Sequence, residues 1–239
     1  MLFQTKGLQI GYSAQTVWEL DKELGFEAGD LVLLVGRNGA GKSSFLRTLA
    51  RFIPPWAGDI WIDAHPFRNY ASEEFARKVG IVSTEKVNAP YLRGADIVRL
   101  GRYPYGNWLG NLPKKEELFV QKIIEQLHIQ ALANRFVDEC SDGEKQLLML
   151  ARVLAQDTPI ILMDEITAHL DFINRRQMLE TIAGLCREHQ KLIFLASHEL
   201  ELGLEFAKHL ILFKNKRISA DTCANWSLDK ILDYWKIGN

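Results

Sequence analysis

No stretch of this 239-residue sequence approaches the roughly 18 unbroken apolar residues that a membrane-crossing helix requires. The opening segment, MLFQTKGLQIGYSAQ, lacks the apolar core of a secretory signal. Cysteine is scarce. Cys140, Cys186 and Cys223 are odd in number, scattered and without metal-ligand spacing, the pattern expected of a soluble protein from a reducing cytosol. Excess charge is missing too: 29 Lys and Arg against 30 Asp and Glu leave a net charge of −1. So balanced a chain has no bulk electrostatic reason to seek nucleic acid or anionic lipid. Internal repeats and low-complexity tracts are absent. What remains is 47% hydrophobic, 25% charged and 10% aromatic, enough apolar surface to offset the ordering entropy of one substantial domain or two small ones.

Short apolar runs without a helical period mark buried strands at Leu31–Val35, Ile160–Met163 and Leu192–Ala196. Ile60–Ile62 and Gly80–Ser83 read as further strands, and Leu210–Phe213 as an edge strand. A helix is expected from Ser43 to Ala50, ended by Pro54, Pro55 and Gly58. From about Lys86 to Gln156 the character changes to helices without strands: Ala95–Leu100, Glu116–Gln130 and Gln146–Leu154. A helix over Met178–His189 between two buried strands predicts a parallel pair with a crossover. The coarse plan is a strand-rich core interrupted by a helical insertion.

Gly36-Arg37-Asn38-Gly39-Ala40-Gly41-Lys42-Ser43 fits G-x-x-x-x-G-K-[ST] without a mismatch, between a predicted strand and a predicted helix. Glycines let successive N–H groups turn toward one anion, and the helix behind them presents its positive end to the same place. Lys42 supplies charge for the β- and γ-phosphates, and the Ser43 hydroxyl can ligate Mg²⁺. The bland alternative is a flexible glycine loop. Asp164 and Glu165 follow an apolar strand, where open α/β sheets bind their ligands. Alone, such a pair reads as a solvated turn; beside a phosphate loop it reads as Mg²⁺ ligand and water-activating carboxylate.

In order, the phosphate loop, the helical insertion, Cys140-Ser141-Asp142-Gly143-Glu144-Lys145-Gln146, the Asp164-Glu165 pair and Ala196-Ser197-His198 resemble an ABC transporter ATP-binding subunit, from about Tyr12 to Phe213. The Cys140–Gln146 segment is similar to the family signature Leu-Ser-Gly-Gly-Gln-Arg-Gln. Ala168-His169-Leu170-Asp171 is similar to the D-loop, and His198 stands at the switch-histidine position. Tyr12 matches the aromatic that stacks on adenine, and Gly101-Arg102-Tyr103-Pro104-Tyr105 looks like a stretch of importers of iron chelates, haem and cobalamin.

The resemblance implies an α/β P-loop NTPase (RecA-like) core with an antiparallel β edge subdomain and an inserted α-helical subdomain. It implies one ATP-binding domain over 1–239: core at about 1–85 and 157–220, helical subdomain at about 86–156, and a short C-terminal tail at 221–239. Within the tail, Asn225 to Asn239 reads as a short amphipathic helix of no assignable role. ATP and Mg²⁺ are the expected cofactors. Transmembrane permease subunits, through them a substrate-binding protein, and a second copy of the chain are the expected partners, without nucleic acid. The expected place is peripheral, on the cytoplasmic face of the inner membrane. Catalysis falls to Glu165, His198 and Lys42. Nucleotide contacts fall to Tyr12, Gly36, Arg37, Asn38, Gly39, Ala40, Gly41, Lys42, Ser43 and Ser44, and across the dimer to Ser141, Gly143, Glu144 and Asp171. Metal contacts fall to Ser43, Asp164 and Glu85.

Several of these residues keep a second reading. Ser141 with Glu144 three residues on is also a capping box, and the two roles use the same helix end. Tyr12 beside Gly11 also reads as packing. Glu85 aligns where the family usually has Gln, Asp142 where it has Gly, and Ile166 where it has Pro. These departures leave open a binding-only module with weakened hydrolysis; a non-transporting ATP-gated clamp is the other alternative. The six tryptophans show no stacking spacing and read as packing, while Tyr103–Leu109 reads either as packing or as a docking surface for a membrane partner.

Overall fold

Alternation along the central strand sets the architecture. In the Leu31–Gly36 strand every residue is buried: Leu31, Leu33 and Val35 join one apolar cluster, Val32 and Leu34 another. Successive side chains leave opposite faces of a strand, so a strand apolar throughout demands cover on both sides. Each such side chain contributes about 1.5–3 kcal/mol on burial.

The structure, a computed structural model, describes residues 1–11, 17–83, 89, 91–107, 110–168 and 170–236. In chain order it runs β1 (Phe3–Ile10), β2 (Trp18–Leu20), β3 (Gly25–Phe26), β4 (Leu31–Gly36), α1 (Lys42–Leu49), β5 (Ala57–Ile62), β6 (His65–Pro66), α2 (Ser72–Ala76) and β7 (Val79–Val82). Four helices follow: α3 (Gly94–Leu100), α4 (Lys114–Gln126), α5 (Gln130–Ala133) and α6 (Asp142–Gln156). The chain then returns to β8 (Ile160–Asp164), α7 (Phe172–Glu188), β9 (Leu192–Ala196), α8 (Leu200–Phe206), β10 (His209–Lys214), β11 (Arg217–Thr222) and α9 (Leu228–Lys236).

Among the described residues one sheet runs β6-β5-β1-β2-β11-β10-β4-β9-β8-β7, with β3 on β1. β7, β8, β9, β4 and β10 pair in parallel, whereas β1 pairs antiparallel with β2, β3 and β5. This is the α/β P-loop arrangement that the resemblance implies: a parallel core with an antiparallel edge. β8 and β9 form the expected parallel pair across α7. One strand needs correction. Leu210–Phe213 lies inside the sheet, between β4 and β11, because its residues feed both clusters: Leu210 and Leu212 one, Ile211 and Phe213 the other.

α1 covers one face through Phe45, Leu46 and Leu49; α6, α7, α8 and α9 cover the other. α9 seats Ile231 fully in that cluster, with Trp226, Tyr234 and Trp235 packed around it. Several helix ends differ from the sequence expectation: α6 starts at Asp142, four residues early, because Ser141 caps it, and two others have equally local causes. α4 stops at Gln126 because His128 adopts φ 54°, a left-handed conformation that breaks the helix without a glycine. α7 starts at Phe172 because Asp171 caps it, accepting from the Asn174 N–H at 2.9 Å.

The Gly-Arg-Tyr-Pro-Tyr stretch locks the inserted helices onto the core. A Cβ at Gly101 would run into the Arg152 carbonyl, so the close approach of the end of α3 to α6 requires glycine there. Arg102 is buried, ion-paired with Glu116, donates to the Ala155 carbonyl at 2.8 Å, and lies over the rings of Tyr105 and Phe119. Arg77, just beyond α2, donates twice to the Pro104 carbonyl, at 3.0 and 2.7 Å.

Candidate nucleotide site

Gly41 holds φ 102°, a left-handed angle that turns the chain out of the loop and into α1. Its missing Cβ has a second reason: one placed there would lie 2.8 Å from Trp18 Cε2. The Trp18 indole at the start of β2 therefore braces the phosphate loop, although the spacing of the tryptophans marks it only as packing. Its contact spans 23 residues of sequence and leaves no local periodic signal.

Lys42 is 5% exposed, and its ammonium folds back on the loop, donating to the Gly36 carbonyl at 2.7 Å and the Arg37 carbonyl at 3.4 Å. Burial pushes its pKa below the usual 10.5, against the nearby carboxylates of Glu165 and Asp164, which push it up. A phosphate arriving in the loop would offer that ammonium full anionic partners in place of two carbonyls.

Asp164 ends β8 beside Ser43. Burial raises its pKa above 3.8, opposed by the Ser43 hydroxyl and by Lys42. Its Oδ1 is buried without a protein partner among the described residues. A buried carboxylate oxygen with no donor, next to a serine hydroxyl, is the donor set of a hard divalent cation such as Mg²⁺.

Glu165 carries φ 54°, rare for a side chain-bearing residue, and its N–H donates to the Ala196 carbonyl at 2.9 Å. Strands β8 and β9 thus bring it beside His198, whose Nε2 lies 2.8 Å from Glu165 Oε1. Ile166, where the family usually has Pro, is fully buried, so an apolar side chain in the core anchors this turn. Asn38, Gly39, Ala40, Gly41, Lys42, Ser43, Ser44, Glu165 and His198 line one cavity of about 370 Å³. Gly36 and Arg37 stand behind it, through their carbonyls on Lys42.

Ser141, Gly143 and Glu144 are elsewhere, lining a separate cavity of about 450 Å³ with Leu170, Asn174 and Met178. The capping box is formed: Ser141 Oγ accepts from the Glu144 N–H at 3.3 Å, and Glu144 Oε2 accepts from the Ser141 N–H at 2.8 Å. The Ser141 N–H first, with the Ser141 hydroxyl and Arg135, holds the Glu144 carboxyl below its usual range. Asp171 spends both carboxylate oxygens on Asn174. Tyr12, Glu85 and His169 lie outside the described residues, as do Trp108 and Leu109 of the aromatic stretch, of which Tyr103 is 69% exposed.

The family profile described as ABC transporter matches residues 21–168, more than half of the chain. The chain belongs to the ABC transporter family. The achromobactin transport ATP-binding protein of Dickeya dadantii is 32% identical over 95% of this chain and 84% of its own length. The ferric enterobactin transport ATP-binding protein of Escherichia coli is 34% identical over 89% of this chain and 78% of its own. A solved ATP-binding subunit of an ABC transporter matches with a TM-score of 0.83 at 23% identity, over 99% of this chain and 100% of that one. A dimeric ATP-binding cassette bound to ADP and Pi matches with a TM-score of 0.77 at 20% identity, over 93% and 99%. This chain is an ABC ATP-binding subunit. Among its described residues no helix is long and apolar enough to cross a membrane.

Proposed function

We propose that two copies of this chain sandwich two ATP molecules beneath a permease, and that closure on ATP and opening after hydrolysis drive uptake of an iron chelate. The observation that carries this reading is the division of the site. The phosphate loop, Glu165 and His198 share one cavity, while Ser141 and Gly143 line another. One chain holds both halves apart, so a complete site needs the signature of one copy over the phosphates of the other. Exposed Phe172 and Ile173, 67% and 68% accessible beside Asp171, supply apolar surface for that contact. The relatives named for achromobactin and ferric enterobactin transport support the cargo class. In this reading the chain sits peripherally beneath its permease, on the cytoplasmic face of the membrane.

In this reading the loop N–H groups and Lys42 bind the β- and γ-phosphates. Glu165 accepts a hydrogen bond from the attacking water, which adds to the γ-phosphorus as the bond to ADP breaks. His198 holds Glu165 through its Nε2 and, with ATP bound, passes that N–H to a γ-phosphate oxygen. Ser43 and Asp164 would hold Mg²⁺, which supplies charge neutralisation on the phosphates when bound. Catalysis is positioning plus electrostatics.

Asp142 is exposed at the helix end where the family usually has glycine, yet the unpartnered Asp164 Oδ1 and the close Glu165–His198 pair favour hydrolysis over a binding-only module. Replacing Glu165 by Gln should abolish phosphate release while ATP still binds. Phosphate release near the wild-type rate would contradict the assignment.

A further inference from the structure

Two turns that the proposed mechanism uses are tied together by a residue with no assigned part in it. Arg175 lies in the first turn of α7. Its Nε donates to the Leu170 carbonyl at 2.6 Å, and its Nη1 is ion-paired with the Glu199 carboxylate. Leu170 immediately precedes Asp171, and Glu199 immediately follows His198. The guanidinium is rigid and planar, so one group fixes both turns at once.

Each end of the bridge continues into the site. On one side, Leu170 packs so closely on the signature that a Cβ at Gly143 would lie 2.9 Å from its Cδ2. On the other, Glu199 is held by the Ser197 hydroxyl, which accepts the Glu199 N–H at 3.1 Å, while His198 meets Glu165. A contiguous path therefore runs from Gly143 through Leu170, Arg175 and Glu199 to His198 and Glu165. Arg175 and Glu199 are each about 30% exposed, so the pair is only partly screened by water.

We infer that Arg175 is a positioning residue: it makes the Glu165–His198 pair respond to a partner copy docking at the Gly143–Asp171 side. This rests on the two-copy reading above. A site built this way hydrolyses ATP well only when its other face is engaged, which appears as cooperativity between the two sites.

The test compares the purified full-length chain with its Arg175→Met and Glu199→Gln forms. ATP hydrolysis is measured against ATP concentration, and nucleotide affinity separately with a fluorescent ATP analogue. The expected result is a split. Affinity and melting temperature stay near wild type, kcat falls about tenfold or more, and the Hill coefficient falls to 1. The double variant is expected to be no worse than either single one, because both cut the same bridge. If Arg175→Met does not fold, the near-isosteric Glu199→Gln decides alone. Retention of wild-type kcat and cooperativity overturns the inference, and so does a parallel loss of affinity, kcat and melting temperature. A wild-type protein with neither ATP turnover nor cooperativity overturns the two-copy reading itself and the inference with it.

Discussion

His198 Nε2 lies 2.8 Å from Glu165 Oε1, joining the residue that follows β8 to the one that stands two places beyond β9. The Glu165 N–H on the Ala196 carbonyl holds the same two strand ends together. The two strand ends thus hold the pair together, the kind of fixed arrangement that electrostatic preorganisation requires. Replacing His198 by Ala should lower turnover by about 10²–10³, the usual cost of removing one preorganised donor, with ATP affinity changed only a few-fold. Phosphate release and fluorescent-nucleotide titration measure the two separately. Turnover within twofold of wild type would refute the role.

Asp164 gives a stability prediction of opposite sign to its functional one. Its pKa is raised by burial, so the folded state binds a proton more readily than the unfolded chain. A raised pKa means stability that is full below 3.8 and is lost as pH rises through the folded-state value. At pH 7 the ionised carboxylate is therefore a burden on the apoprotein. Asp164→Asn should raise the melting temperature at pH 7, and the gain should shrink as pH falls toward 3.8. The same variant should lose Mg²⁺-dependent ATP hydrolysis. A melting temperature lowered at pH 7 would contradict the argument.

Trp18 packs against Gly41 where the loop enters α1. Trp18→Ala should loosen the loop and weaken ATP binding about tenfold, while Trp18→Phe, which keeps an aromatic face, should weaken it less. Equilibrium nucleotide titration distinguishes the cases. Equal affinity for Trp18→Ala and wild type would return Trp18 to the role of filler.

The Arg102–Glu116 pair is nearly buried, with side chains 5% and 14% exposed. Arg102→Met leaves a buried carboxylate alone, at a cost of about 3–5 kcal/mol. At about 2–4 °C per kcal/mol for a chain of this size, a loss of about 10 °C in melting temperature is expected. ATP affinity should hold, because the contacts of Arg102 go to Glu116, Ala155, Tyr105 and Phe119 rather than to the phosphate loop. A shift under 2 °C would show that water screens the pair.

Local signals carried much of this account and missed what long-range packing decides. The strands at Leu31, Ile160 and Leu192 were legible because a run apolar on both faces has few other readings, and the Ser141–Glu144 cap because its two hydrogen bonds are local. The place of Leu210–Phe213 was not, since an apolar run says nothing of its neighbours. The apolar period marks α7 only from Met178, because exposed Phe172 and Ile173 interrupt it. Trp18 on Gly41 and Arg175 on Glu199 join residues 23 and 24 positions apart, beyond any local pattern. The left-handed backbone at Glu165 and His128 likewise comes without the glycine that would announce it.

In the proposed mechanism a second copy completes the site. The most direct measurement is light scattering of the Glu165→Gln protein with and without Mg·ATP. A monomer that becomes a dimer only with Mg·ATP, and returns to monomer when Ser141 is also replaced by Arg, is the expected result. A protein that binds ATP yet stays monomeric at every nucleotide concentration would contradict it.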